Sequence, residues 1–268
     1  MEFWQAIFLG LVQGLTEFLP VSSSGHLVFF QTVLHIEEAD LFFDVMLHFG
    51  TLIAVFIVFW KDILDLFKRP FQTLLYLVVA TLPAAVVGVL FDDKIEEIFY
   101  GGQWLGIFFL VTAALMFACE IVAKRRKNNH PLGWRTTVPM GLMQAIAVLP
   151  GISRSGSTIA AGTFAGAKPK DISKFSFLMS IPVILGSAVI GLKHLVFDGG
   201  FAESVAAYPS SGHFIVCLLL GVSVAAVSGL FAIKVMLRVI DAANYKWFSL
   251  YLVLLSVACF ILVGYNIF

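Results

Sequence analysis

Leu19-Pro20-Val21-Ser22-Ser23-Ser24-Gly25 halts an apolar run that begins at Phe3, and only about ten apolar residues, 27–36, follow it. A bilayer core about 30 Å thick needs about 20 apolar helical residues, so neither piece spans by itself. A second break has the same form. Residues 136–149 run into Pro150-Gly151-Ile152-Ser153-Arg154-Ser155-Gly156, and a short apolar run continues to about residue 167. Backbone that leaves the helix at membrane depth is tolerated only where protein or a wet cavity satisfies its polar groups. The two regions therefore read as re-entrant helical hairpins.

Around the breaks lie six stretches long enough to cross a bilayer, roughly 41–60, 71–91, 103–123, 175–197, 212–237 and 246–268. The composition agrees: 60% of the 268 residues are hydrophobic and 13% charged, against about 45–50% and 25% in soluble domains. Seventeen basic and 17 acidic residues leave no net charge. That balance gives no basic surface for nucleic acid, and the hydrophobicity excludes disorder. Cys119, Cys217 and Cys259 lie in apolar stretches without zinc-site spacing and read as small buried hydrophobes. The first apolar run follows the acidic Glu2, with no basic leader or small-residue cleavage site, so it is expected to stay in the mature chain.

Basic residues set orientation, because cytoplasmic loops are enriched in Lys and Arg. Four clusters stand out: Lys61, Lys68 and Arg69; Lys124, Arg125, Arg126, Lys127 and Arg135; Lys168, Lys170 and Lys174; Lys234, Arg238 and Lys246. Acidic loops fall between them, at Glu37, Glu38 and Asp40, at Asp92, Asp93, Glu96 and Glu97, and at Asp198 and Glu203; Lys94 and Lys193 are minor exceptions. Six spans alternate without conflict only if each hairpin returns to the side it entered, the first from outside and the second from the cytoplasm. All five Trp residues fall near span ends, as an interfacial aromatic belt requires.

An internal repeat ties the breaks together. Gly10-Leu11-Val12-Gln13 recurs as Gly141-Leu142-Met143-Gln144, and Ser22-Ser23-Ser24-Gly25 recurs as Ser153-Arg154-Ser155-Gly156, both offset by 131 residues. The expected fold is an all-α polytopic membrane protein, a single membrane domain over 1–268 built from two inverted-topology repeats, roughly 1–125 and 136–268. Each repeat is one re-entrant hairpin plus three transmembrane helices; three is odd, so the second copy must be upside down. Interrupted helices in corresponding positions of inverted repeats point to a binding site between the repeats.

At the shared offset Glu17 faces Val148, Ser23 faces Arg154 and His26 faces Ser157. One copy thus carries an acid and an imidazole, the other a permanent cation. Gln13 and Glu17 are four apart and share a helix face; an ionisable residue in a membrane is a functional candidate by default. Helices should restart after Ser22-Ser23-Ser24-Gly25 and after Ser153-Arg154-Ser155-Gly156. Serine caps and first-turn N–H groups there would draw an anion, and Arg154 adds a fork of donors matched to phosphate oxygens. His26, in the first turn of its half-helix, should be neutral and available as base or nucleophile. Ser22, Ser23 and Ser24 offer hydroxyls for attack or for phosphate binding, and Ser153, Ser155, Gly156 and Thr158 line the second break. Asp44 and His48, four apart on one face, either line the cavity or serve as polar packing. The same architecture suits a transporter, and a channel or structural protein is a further reading.

Gln13-Gly14-Leu15-Thr16-Glu17-Phe18-Leu19-Pro20-Val21-Ser22-Ser23-Ser24-Gly25-His26 together with Pro150-Gly151-Ile152-Ser153-Arg154-Ser155-Gly156-Ser157-Thr158 resembles the bacterial undecaprenyl-diphosphate phosphatase family associated with bacitracin resistance. The first stretch is an (E/Q)xxxE motif running into PVSSSGH, the second is PGxSRSGxT, and the order of apolar segments fits over essentially the whole chain. The resemblance implies a multi-pass hydrolase of the bacterial inner (plasma) membrane, its site facing outside. It would remove the terminal phosphate of undecaprenyl diphosphate and so recycle the lipid carrier of cell-wall synthesis. By motif position, Glu17, Ser23, His26, Ser153, Arg154 and Thr158 become the expected functional residues, with Gln13, Ser22, Ser24, Ser155 and Gly156 about the substrate. A divalent cation, Mg²⁺ or Ca²⁺, is also implied, with Glu17 as a candidate ligand and no organic cofactor. Gln13 stands where some members have a second Glu, which weakens schemes needing two carboxylates. The acid-phosphatase-like lipid phosphatases need a second His shortly after the SR arginine, and Ser155 to Ala161 contain none. Partners are then a polyprenyl diphosphate lipid and membrane lipid, with no nucleic acid; oligomeric state stays open, a homodimer among the options. In this reading either His26 or Ser23 attacks the terminal phosphorus, or one of them activates water.

Overall fold

The computed structural model describes residues 1–36, 41–99, 101–126, 129–197, 205 and 208–268. These form eleven helices: α1 Phe3–Phe18, α2 Ser23–Val33, α3 Leu41–Val58, α4 Trp60–Leu66, α5 Gln72–Phe99, α6 Leu105–Arg125, α7 Trp134–Ile146, α8 Arg154–Ala165, α9 Pro169–Phe197, α10 Ser211–Ala242 and α11 Lys246–Gly264. Five of them, α5, α6, α9, α10 and α11, contain stretches long and apolar enough to cross a bilayer, and the chain is a multi-pass helical membrane protein. The sixth expected span, roughly 41–60, is met by a bent pair of helices that together are long and apolar enough to cross a bilayer. Helix α3 stops at Val58, and the chain bends by 83° into the short α4. The local sequence explains the turn: Trp60, Lys61 and Asp62 open a segment that buries Ile63 and Leu66 and leaves its polar residues outside. Helix α9 begins at Pro169, ahead of the expected residue 175, because its charged first turns are also helical. Of the expected acidic loops, Glu37, Glu38, Asp40, Asp198 and Glu203 lie outside the described residues, as does Lys127. The stretch with Asp92, Asp93, Glu96 and Glu97 is no loop: its backbone continues α5 to Phe99, while these four side chains lie outside the description.

Both expected breaks are present, and each has a visible local cause. Leu19 is extended (φ −76°, ψ 147°), the conformation forced on a residue preceding proline, so α1 ends at Phe18. Helix α7 ends at Ile146, and Pro150 and the left-handed Gly151 (φ 94°) carry the chain round to α8. The restarts come earlier than expected. The leading serine of each SxSG element is the N-cap, Ser22 accepting from the Gly25 N–H and Ser153 from the Gly156 N–H. The rest of each motif is therefore the first helical turn, and His26 sits just past it. A cap must precede the donors it satisfies, which is why the helix starts inside the motif.

Packing runs crosswise between the two parts of the sequence. Helix α1 lies along α10: His213 Nε2 is 2.9 Å from the Met1 carbonyl oxygen, and Gly10 and Gly14 abut Gly221 and Ala225. Helix α7 lies along α5, Gly141 against the Ala80 backbone and Trp134 edge-on to Tyr76. Small residues permit such close approach where burying apolar surface brings no gain. Helices α6 and α11 pack together, as do α3 and α9. The exterior is apolar, with Val89, Val227 and Leu254 outward, while Gln13, Glu17, Ser157 and Ser176 are interior.

Contacts also gather the four basic clusters at one end. Lys174 of α9 pairs with Asp62 of α4; Arg126 bonds the Thr163 and Ala167 carbonyls at the end of α8; the Lys246 N–H bonds Glu120 of α6; Asn129, Lys168 and Asp241 line one cavity of about 430 Å³. All five Trp residues lie exposed at or next to helix N-termini. The three cysteines are buried and unpaired.

Candidate functional site

The two breaks meet and interlock. Ser22, itself at φ 67°, accepts both the Gly25 N–H (3.4 Å) of its own turn and the Gly151 N–H (3.1 Å) of the other. Ser155 Oγ returns a bond to the Leu19 carbonyl (2.9 Å). A Cβ on Gly25 would come within 2.9 Å of the Gly151 Cα, so this crossing requires glycine. Thr112 of α6 pins the second turn, donating to the Gly151 carbonyl (3.0 Å) and accepting from the Ser153 N–H (3.1 Å). Every backbone polar group satisfied here is one that would otherwise be stranded in an apolar interior.

Beside the crossing sits one buried carboxylate, Glu17, 8% exposed. Its Oε1 receives Arg154 Nη2 at 2.5 Å. Its Oε2 receives the Ser23 hydroxyl at 2.6 Å and Gln13 Nε2 at 3.1 Å, with His48 Nε2 3.6 Å away. Thus α1, α2, α3 and α8 each supply one or more groups to a single carboxylate. Arg154 also donates from Nη1 to the Ser176 carbonyl of α9 (3.2 Å), and Ser176 Oγ meets Thr158 Oγ1 at 2.7 Å. Burying two charges is costly unless they pair and their remaining valences are filled; here each oxygen of Glu17 has a donor. The amide oxygen of Gln13 is buried beside this cluster with no protein donor.

His26 is one helical turn beyond Ser23 and 1% exposed. Its Nδ1 is 2.7 Å from the Ser22 carbonyl oxygen and its Nε2 is 2.7 Å from the Tyr251 hydroxyl. A carbonyl only accepts, so Nδ1 carries the proton and neutral Nε2 keeps the lone pair. Tyr251 stacks on the imidazole (centroids 5.6 Å, 15°) and Phe109 meets it edge-on.

Of the residues singled out from sequence, Gln13, Glu17, Ser23 and Arg154 converge directly, and Thr158 joins through Ser176. Ser22, Ser153, Ser155 and Gly156 build the crossing; Ser24 lies 3.5 Å from Ser22. His48 belongs to the cluster, whereas Asp44 accepts from Gln31 Nε2 (2.8 Å). Sequence reasoning missed Tyr251, Thr112 and Ser176. They stand in apolar spans without a motif, and only the fold brings them to the breaks.

Crossed helix breaks that bury an arginine–carboxylate–serine chain define a class: helical membrane proteins with a polar site between interrupted helices. Within that class the chain belongs to the bacitracin resistance protein BacA family, whose model matches residues 6–258. It is 41% identical over 263 residues to an undecaprenyl-diphosphatase of Carboxydothermus hydrogenoformans, covering 98% of each chain. It is 37% identical over 267 residues to one of Halothermothrix orenii, covering 98% of this chain and 99% of the relative. A third, from Methanosphaera stadtmanae, is 35% identical over 286 residues and covered to 98% on both sides.

Proposed function

We propose that this protein is a phosphoric anhydride hydrolase that converts undecaprenyl diphosphate to undecaprenyl phosphate and inorganic phosphate. The observation that carries the proposal is the chain Arg154–Glu17–Ser23, assembled from both breaks. A serine hydroxyl 2.6 Å from a carboxylate is a nucleophile beside its base, and the guanidinium fork matches phosphoryl oxygens. The first-turn N–H groups of α2 and α8 lack intrahelical acceptors and favour an anion at their ends.

In the mechanism, the terminal phosphoryl group draws Arg154 away from Glu17, leaving that carboxylate free to take the Ser23 proton. Ser23 Oγ bonds to the terminal phosphorus as the bridging P–O bond breaks, and undecaprenyl phosphate departs. Water, losing its proton to His26 Nε2, then attacks the phosphoserine; the P–Oγ bond breaks, Glu17 returns its proton to Ser23 Oγ, and inorganic phosphate leaves. Positioning and charge stabilisation dominate such transfers. A divalent cation fits this donor set. Mg²⁺ takes hard oxygen ligands and is commonly held by one or two carboxylates plus substrate phosphates; Glu17 and the undonated Gln13 Oε1 would hold it. When bound it would neutralise phosphate charge.

The inverted repeat with two re-entrant hairpins belongs to this proposal. Crosswise pairing of α1 with α10 and α7 with α5 supports it. So does α1 starting beside His213, where α10 begins, while α7 starts beside Tyr76 near the basic end. By the positive-inside rule the basic end faces the cytoplasm and α1 enters from outside; in this proposal the substrate entrance lies toward the outer face of the plasma membrane. The repeat architecture equally suits a transporter. Phosphate release from C55 diphosphate by detergent-solubilised protein separates the two, since hydrolysis needs no second compartment. Hydrolysis that requires Arg154 and Ser23, stops with chelator and leaves phosphoryl label on Ser23 is the expected result. Absence of phosphate release overturns the assignment.

A further inference from the structure

We infer that Tyr251 of α11, far from both motifs in sequence, is a positioning residue for His26; the inference rests on the proposed role of His26 as base. With Nδ1 committed to the Ser22 carbonyl, a neutral imidazole has one lone pair to offer, on Nε2. The Tyr251 hydroxyl, 2.7 Å away, is the group facing it. A hydroxyl is suited to that place because it can reverse roles. It donates to Nε2 while the imidazole is neutral and, after the O–H rotates, accepts from Nε2–H once the imidazole has taken a proton. An amide or an ammonium could satisfy only one of those states without turning over or shifting.

The ring contributes separately. Its stacking at 15° on one face, with Phe109 meeting the imidazole edge-on, fixes the plane in which Nε2 points. The hydroxyl therefore governs the protonation switch, and the ring governs direction. Nothing in the proposed route gives the phenol contact with phosphorus or with the leaving group. The single Nε2 lone pair faces the hydroxyl or a water but not both, so the phenol swings aside as water enters and returns to accept from Nε2–H once the proton has moved, stabilising the imidazolium. Tyr251 is 42% exposed, which leaves room for that movement.

The test uses full-length protein in detergent with C55 diphosphate, comparing wild type, Tyr251→Phe and Tyr251→Leu. Loss of the hydroxyl alone should lower kcat about tenfold, the equivalent of one hydrogen bond, with KM within about twofold and a displaced pH profile. Removing the ring as well should lower kcat further. A readout independent of turnover is the ¹⁵N resonance of His26 Nε2 in histidine-labelled protein, identified by its loss in His26→Gln. Removing its donor should move that resonance in Tyr251→Phe without moving those of the other histidines. An unmoved Nε2 resonance, or wild-type kcat with an unchanged pH profile in Tyr251→Phe, overturns the inference. Full turnover by His26→Gln overturns instead the role of His26 on which it rests, while the resonance still reports the contact.

Discussion

Arg154 and Glu17 neutralise one another in the interior, so removing either leaves an unpaired buried charge. Stranding one partner of such a pair costs about 3–5 kcal/mol, and removing a stabiliser of transferred charge costs about 10²–10³ in kcat. Arg154→Ala should therefore lower kcat by at least about a hundredfold and also depress the thermal midpoint. The paired variant Arg154→Ala with Glu17→Gln should recover much of the midpoint and none of the turnover. Thermal denaturation in detergent, run beside phosphate release, separates the two effects. Gln144 predicts the opposite behaviour. It matches Gln13 in the repeat, yet Val148 stands where Gln13 has Glu17, and its buried amide has no protein hydrogen-bond partner at either atom. An unsatisfied buried polar group costs about 1–3 kcal/mol. Gln144→Met should raise the thermal midpoint by a few degrees with unchanged phosphate release; a lower midpoint would show that the amide has a structural use.

At the level of helices, the crossing depends on one hydroxyl bound from both sides. Ser22→Ala removes an N-cap and the link to Gly151 together, and caps alone contribute about 0.5–2 kcal/mol. The expected loss exceeds that of Ser153→Ala, whose hydroxyl caps its own helix and meets Ser155 but does not cross to α2; midpoints of the two variants give the comparison. The positions of the breaks were legible in the sequence because their causes are local: Pro20, Pro150 and two serine caps. The starts of α2 and α8 were misplaced by about three residues, since a motif reads the same whether it precedes a helix or forms its first turn. The bend at Phe59 was hidden for a different reason. An apolar run continues into Trp60, and hydropathy does not register a change of direction. Glu17, Ser23 and Arg154 could be chosen as polar outliers in apolar surroundings. Tyr251 could not, because a tyrosine in a terminal span is unremarkable until the fold places it against an imidazole.

For the molecule as a whole, the gathering of the basic clusters makes sidedness measurable. Cys119, Cys217 and Cys259 are buried, so an impermeant thiol reagent should find little background. In sealed right-side-out vesicles, a cysteine replacing the exposed Ser211, at the start of α10, should be labelled from outside. One replacing the exposed Lys170 should react only after the vesicles are opened. Labelling in the reverse order would turn the proposed outward-facing entrance to the cytoplasm. A second whole-molecule expectation concerns Glu120, which bonds Lys124 and the Lys246 N–H and so fastens the start of α11 to α6. Glu120→Ala should lower the midpoint more than turnover.

Crosswise pairing makes each portion of the gene depend on the other. Because α1 finds its groove on α10, and α7 finds its groove on α5, a ribosome that stops near residue 126 releases a fragment whose first helix has no bed to lie in. Two co-produced fragments, 1–126 and 129–268, should rescue one another as a split enzyme, whereas either made singly should be cleared by proteolysis. The two portions are then in mutual custody, neither able to fold in the absence of the other.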